Sequence, residues 1–223
     1  MARNLAGTFG VEIKHNLLDP WALRAKRTLD LALTAVGGIL ISPILLVLCL
    51  LVYLELRGQV FYRDQRMGRD GKSFSCIKFR TMVPDSEALL QRMLKENPQM
   101  REEYSKYHKL RRDPRVTRVG RFLRKTSLDE LPQLWNILRG EMSLVGPRPY
   151  LLRESGDIGA PQKEILRVPP GITGPWQVAG RNESFFSDRV RMDVHYVRNW
   201  SVWLDLVILA RTAKGVLLGR GAF

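Results

Sequence analysis

The chain has 223 residues, 45% of them apolar, with 36 Lys+Arg against 22 Asp+Glu and a formal charge of +14. That apolar content excludes wholesale disorder and a collagen-like or low-complexity chain, and it allows one domain with a core of workable size. A charge this positive calls for an anionic partner: nucleic acid, an anionic lipid surface or a phosphorylated small substrate.

After an N-terminal segment of residues 1–25, the stretch Leu31–Leu54 carries no formal charge and is long enough to span a bilayer. It starts too far into the chain, and runs too long, for a typical signal peptide. Ser42-Pro43 stands at its middle and divides it into arms of 11 residues, each about 16 Å at helical rise and so about half a bilayer. Both flanks are basic, with Lys14, Arg24, Lys26 and Arg27 before and Arg57, Arg63, Arg66, Arg69 and Lys72 after. A spanning helix cannot keep both flanks in the cytoplasm, whereas a re-entrant hairpin of two half-helices can. A proline-kinked spanning helix fits the segment alone equally well.

Residues 59–82 contain two β-prone runs joined around Asp70-Gly71, a hairpin signal. Alternation puts Ile77 and Phe79 on one face of the second run and Lys78 with Arg80 on the other, either as a solvated edge or as the floor of an anion site. Residues 85–112 predict a helical hairpin interrupted at Asn97-Pro98. Arg112, Arg115, Arg118, Arg121 and Arg124 recur at steps of three, a pattern suited to phosphate or to a nucleic-acid backbone. Residues 154–190 read as Gly- and Pro-rich loop. The last 30 residues place Val197, Trp200, Leu204, Val207 and Ile208 on one helical face, and Trp200 and Trp203 suit either a membrane-interface belt or a packed helix. Cys49 and Cys76 show no paired spacing, and His15, His108 and His195 form no ligand pair, so a disulfide framework or a zinc site finds no support. A reducing, cytoplasm-facing environment fits, and any metal should be hard and carboxylate-bound.

The densest constellation is RKTSLDELPQLWNILRGEMSLVGPRP, residues 124–149. Ser127 and Glu130 have capping-box spacing, but Pro132 favours a helix starting near Leu131 and running to Leu138, with Leu131, Leu134, Trp135 and Leu138 as its apolar face. Asp129 and Glu130 would then occupy the turn ahead of it. Two adjacent carboxylates near Arg124, Lys125 and Arg148, the last framed by Pro147 and Pro149, could hold a divalent cation and the phosphates it bridges. An aspartate can also attack phosphorus and form an acyl phosphate.

Taken together, KRTLD (26–30), the Ser42-Pro43 break, KFRTM (78–82), residues 115–149, PPGITGPWQVAGRN (169–182) and YVRNWSVWLDLVIL (196–209) resemble the bacterial sugar transferases, the monotopic phosphoglycosyl transferases that move a hexose 1-phosphate onto a polyprenyl phosphate. The resemblance implies an α+β fold with a re-entrant helix-break-helix membrane hairpin (26–57), then a cytoplasmic catalytic domain (58–223) with a small β-hairpin and amphipathic interfacial helices. It implies Asp129 as nucleophile, Glu130 as its partner, and Mg²⁺ held by the two. It implies Lys78, Arg80, Arg124, Pro147, Arg148, Pro149 and Arg181 at the substrate, and no assigned role for Asp193 or Asp205. The partners implied are a UDP-hexose, undecaprenyl phosphate and an anionic phospholipid membrane, at the cytoplasmic face of a bacterial inner membrane; a homodimer stays open. Larger members carry membrane helices and a further domain ahead of the catalytic part, against 25 residues before Lys26 here. The competing class is a membrane-anchored nucleic-acid-binding protein, which the lack of interleaved aromatics and of a recognisable nucleic-acid module disfavours.

Overall fold

The computed structural model describes residues 2–5, 8–11, 19–107, 110, 113–179 and 185–217. Ala2–Leu5 (β1) and Thr8–Val11 (β2) pair antiparallel. Helix α1 then runs from Pro20 to Leu56, starting ahead of the boundary expected at Lys26. Asp19 caps it by accepting the Trp21 backbone N–H at 2.9 Å, and Pro20 sits in the first turn, where its missing donor costs nothing. The two half-helices expected on either side of Ser42-Pro43 are instead one helix, with Pro43 in its interior. Proline leaves the carbonyl of residue i−4, Ile39, without its helical donor, and the Ser42 hydroxyl donates to that oxygen at 2.7 Å. The serine thus repairs locally what the proline removes.

Both ends of α1 dock on the rest of the chain. Near the start, Lys26 and Asp30 are buried, and Arg27 donates to the Ile137 and Leu138 carbonyls at 2.6 and 3.1 Å. Near the end, Leu48, Val52 and Leu56, spaced one helical turn apart, pack with Phe79 and Leu123. Between these anchors Val36, Ile39, Leu40, Ile44, Leu46 and Val47 are exposed. The helix is long and apolar enough to enter a membrane.

Phe61–Met67 (β3) and Ser73–Phe79 (β4) form the expected antiparallel hairpin, in register Phe61↔Phe79 through Met67↔Ser73. The connection is a 3₁₀ turn, Arg69–Gly71, closed by the Gly68 N–H on the Lys72 carbonyl at 2.8 Å, and Asp70 and Gly71 take positive φ in it, 56° and 76°. Ser86–Glu96 (α2) and Pro98–Tyr107 (α3) form the helical hairpin broken at Asn97. Arg118–Thr126 (α4) is capped twice: Thr117 accepts from the Gly120 N–H, and Glu55 at the end of α1 accepts from the Arg118 and Val119 N–H groups. Gly120 lies so close to the segment after β4 that a Cβ there would meet the Thr81 carbonyl oxygen at 2.2 Å.

The helix expected over Leu131–Leu138 is a 3₁₀ turn, Leu128–Gln133, followed by the short helix α5, Leu134–Leu138. Pro132 inside the segment explains the tighter winding. Ser127, with φ of 57°, makes no side-chain cap, so the capping box does not form. The buried members are Gln133, Asn136 and Ile137, while Trp135 and Leu138 of the expected apolar face are exposed. Ser143–Val145 (β5) pairs in parallel with Gly171–Thr173 (β6). The stretch read as loop is built instead of short helices, Ser155–Ile158 (α6), Gln162–Ile165 (α7) and Pro175–Val178 (α8), around β6. The C-terminal face expected on one helix is divided between Phe186–Asn199 (α9) and Val202–Leu217 (α10). Val197, Trp200 and Ile208 are core residues there, and Trp203 is 73% exposed.

Candidate active site

One side chain aligns the site. Asn136, wholly buried in α5, accepts from the Ile77 N–H at 3.0 Å and donates to the Ser75 carbonyl at 2.8 Å, so its amide stands in for a neighbouring strand along the edge of β4. The 3₁₀ turn before α5 is thereby held against β4. Lys78 of β4 meets Glu130 of that turn, with Nζ 2.8 Å from Oε1 and both side chains largely buried. The face of β4 carrying Lys78 also carries buried Phe74 and Cys76, so it is not a solvated edge.

Beside this pair opens a cavity of about 600 Å³. Lys78, Arg80, Arg124, Asp129, Glu130 and Arg148 all line it, brought together from β4, α4, the 3₁₀ turn and the Pro-Arg-Pro segment. Arg124 is fixed by its Nε–H donating to Thr81 Oγ1 at 2.9 Å, a contact that depends on the close approach at Gly120. Pro149 lines a smaller adjoining space with Lys78, Glu130 and Arg148. Both proline carbonyls of the segment are engaged: that of Pro147 accepts from the Gly171 N–H at 2.8 Å and that of Pro149 from Arg66 Nη1 at 3.1 Å. Arg181 lies outside the described residues.

Burial pushes the Asp129 carboxyl above its ordinary value, the Glu130 charge pushes the same way, and Lys78 and Arg124 oppose both. The two carboxylates offer hard oxygen donors. Among the described residues no group of three or more His, Cys, Asp or Glu side chains gathers as a metal site. Asp129 and Glu130 are donors of the chemical type that a hard cation such as Mg²⁺ takes from a protein, one or two carboxylates with water and phosphate oxygens completing its shell.

The arginine run is dispersed. Arg115 forks onto Asp113, Nε to Oδ1 at 2.9 Å and Nη2 to Oδ2 at 2.6 Å, and lines the cavity; Arg118 and Arg121 are exposed. Sequence reading passed over Tyr62, Thr81, Arg115 as a paired residue, and Trp176, all at the cavity. Arg80 lies 6.0 Å from the Tyr62 ring centroid, and Arg148 lies 5.5 Å from that of Trp176. The Lys78/Arg80 alternation could have pointed to Tyr62, which pairs with Lys78 across the hairpin; Trp176, a lone indole in a loop-like stretch, gave no signal. Asp205 and Asp193 stand elsewhere. Asp205 accepts from Lys26 Nζ (2.6 Å), Tyr196 Oη (2.7 Å) and Trp200 Nε1 (3.0 Å), which ties α1 to α9 and α10. Asp193 is wholly buried and accepts from the Tyr150 hydroxyl at 2.7 Å; burial raises its carboxyl to about 7 against that bond and the Arg189 and Arg148 charges.

A cleft lined by five cationic side chains, Lys78, Arg80, Arg115, Arg124 and Arg148, with two adjacent carboxylates, in a chain that carries one long apolar helix, suits the handling of polyanions. Residues 21–219 match the bacterial sugar transferase family, and the chain belongs to it and is a transferase. It is 46% identical over 221 residues to the exopolysaccharide production protein ExoY of Sinorhizobium fredii, covering 99% of this chain and 98% of that one. It is 45% identical over 213 residues to the undecaprenyl-phosphate galactose phosphotransferase of Salmonella typhimurium, covering 96% of this chain and 44% of that one. With the undecaprenyl-phosphate glucose phosphotransferase of Komagataeibacter xylinus the identity is 38% over 217 residues, 92% of this chain and 38% of that one. The chain thus spans under half the length of the latter two and nearly all of the first.

Proposed function

We propose that the protein transfers hexose 1-phosphate, from UDP-galactose or UDP-glucose, to undecaprenyl phosphate, releasing UMP and starting polysaccharide or O-antigen assembly on the lipid. The observation that carries this is the placement of Asp129 beside Glu130 with Lys78, Arg80, Arg124 and Arg148 around one cavity. In the first half-reaction an Asp129 carboxylate oxygen bonds to the β-phosphorus, and the bond from that phosphorus to the bridging oxygen breaks, UMP leaving with the electron pair. In the second, a phosphate oxygen of undecaprenyl phosphate attacks the same phosphorus and the acyl–phosphate bond breaks, which restores the carboxylate. Arg124, fixed by Thr81, and Arg148, fixed by its prolines, are placed to hold phosphate oxygens bidentately. Lys78 holds Glu130 in register with the nucleophile. Mg²⁺ bound by Asp129 and Glu130 would supply charge neutralisation on the diphosphate. The purified chain in detergent, given undecaprenyl phosphate and Mg²⁺, is expected to release UMP from one of these two UDP-hexoses; release from neither overturns the reading.

The same reading sets α1 as a re-entrant helix at the cytoplasmic face of the inner membrane. Its support is arithmetic. The unanchored stretch between buried Thr34 and Leu48 is residues 35–47, about 20 Å at 1.5 Å per residue, which is short of a hydrocarbon core of about 30 Å. One domain bound at both ends of the helix cannot lie on both sides of a bilayer. Exposed Trp135 and Trp203 near the start of α1 and Phe122 near its end suit the headgroup level, where lipid phosphate meets the cavity. Cysteines introduced at Arg24 and at Arg69 are expected to react with an impermeant thiol reagent on the same face of oriented vesicles; labelling on opposite faces makes α1 a spanning helix.

A further inference from the structure

Behind the Pro-Arg-Pro segment lies a charged cluster with no part in the half-reactions above. Arg189 of α9 is 7% exposed, and its guanidinium carbon stands 3.7 Å from the Tyr150 ring centroid, 5.4 Å from that of Trp176 and 5.7 Å from that of Phe186. Its Nη2–H donates to the Arg148 backbone carbonyl at 3.3 Å, and Nη1 lies 4.0 Å from Glu154 Oε2. Tyr150 is itself pinned, its hydroxyl on Asp193 one helical turn beyond Arg189. Burying a guanidinium costs several kcal/mol before compensation, and an aliphatic side chain would fill such a space more cheaply if packing were its only task.

Resting on the transferase reading, we propose that Arg189 is a positioning residue for Arg148, fixing the direction in which the Arg148 side chain enters the cavity. Two constraints act together. The first is the backbone: with Arg189 on the Arg148 carbonyl, Gly171 on that of Pro147 and Arg66 on that of Pro149, all three carbonyls of the segment are occupied. The second is charge. Arg148 and Arg189 share one indole, at 5.5 and 5.4 Å from the Trp176 centroid, so two like charges are brought near each other. Asp193 attracts both cations, Glu154 and the Tyr150 face hold Arg189 back, and Arg148 is the one that lines the cavity, where a phosphate of the donor can meet it.

The test is steady-state UMP release by the full chain, with the donor varied, for the wild type, Arg189→Lys, Arg189→Gln, Arg148→Ala and the double variant Arg148→Ala/Arg189→Gln, alongside thermal melting. Arg189→Gln is expected to raise the donor KM about tenfold with kcat changed by less than about threefold, because ground-state and transition-state binding of the donor weaken together. Arg189→Lys, which keeps the charge and loses the fork and the stacking, should fall between it and the wild type. The double variant should match Arg148→Ala, since Arg189 acts only through that residue. An unchanged donor KM in Arg189→Lys and Arg189→Gln, or effects that multiply in the double variant, overturns the proposal while leaving the transferase reading intact. If Arg189→Gln does not fold, Arg189→Lys decides alone. A wild type that releases no UMP from either donor overturns the parent reading and this inference with it.

Discussion

Asp129→Asn is expected to lower UMP release about 10⁴-fold or more and to abolish trapping of a phosphosugar on the protein, because the amide cannot form the acyl phosphate on which both half-reactions depend. The change is nearly isosteric, and the 3₁₀ turn is held by Asn136 on β4 rather than by residue 129, so the cavity should keep its shape. Glu130→Gln should cost less, on the order of 10²-fold, since it leaves the nucleophile in place and weakens its partner and the Lys78 ion pair. The pH profile separates the two roles. Asp129 must be ionised to attack, and burial followed by the Glu130 charge raises its pKa, so the rate should fall on acidification at a pH above the ordinary aspartate value of 3.8. Removing the Glu130 charge should move that acid limb to lower pH, and Lys78→Met, which removes an opposing cation, should move it to higher pH. Mass spectrometry of the protein after donor alone, and initial rates across pH, read these outcomes. A variant Asp129→Asn with full turnover ends the covalent route.

How much of this was readable from residues alone follows from the range of each interaction. Local signals were sufficient for the β-hairpin, where Asp70 and Gly71 are turn residues that tolerate the positive φ they take, and for the α2–α3 hairpin at Asn97-Pro98. They failed where long-range contacts decide. Residues 131–138 carry a helical apolar stripe, yet Trp135 and Leu138 are exposed and Asn136 is wholly buried, because an edge of β4 distant in sequence needed hydrogen-bond partners more than the core needed another apolar face. Pro43 suggested two half-helices, and the helical assignment instead continues through it, with the Ser42 hydroxyl on the Ile39 carbonyl. Lys78, Arg80, Arg124, Asp129, Glu130 and Arg148, which line the cavity, were named through the family resemblance of their motifs, with strand alternation and the adjacent carboxylates pointing the same way. Thr81, Trp176 and Arg189 were not, since a threonine hydroxyl, an indole and a helical arginine have too many ordinary uses to mark a site.

Lys26→Met should destabilise the folded chain by about 3–5 kcal/mol, the cost of breaking a buried ion pair from one side. The lysine side chain is almost wholly buried, with Nζ 2.6 Å from Asp205 Oδ2 and 4.0 Å from Asp30 Oδ1. Among the described residues, removing it leaves the Asp205 carboxylate with the Tyr196 hydroxyl and the Trp200 N–H, neutral donors that do not balance its charge, and takes away the cation nearest Asp30 as well. Asp205→Asn should cost less than Lys26→Met, because the orphaned ammonium can turn to Asp30 one helical turn along α1. Replacing both partners by apolar residues of similar size should recover much of the loss, since no unpaired charge then remains in the core. At roughly 2–4 °C per kcal/mol for a chain of this size, the melting temperature in detergent should drop by about 6–20 °C for Lys26→Met. The position of the pair gives the loss a direction. It joins the start of α1 to α10, whereas Leu48, Val52 and Leu56 join its end to Phe79 and Leu123, so the variant should expose the first turns of α1 to hydrogen exchange while leaving the last turns protected. Equal loss of protection along the whole helix, or a melting temperature within about 2 °C of wild type, would show that this ion pair does not hold α1 to the domain.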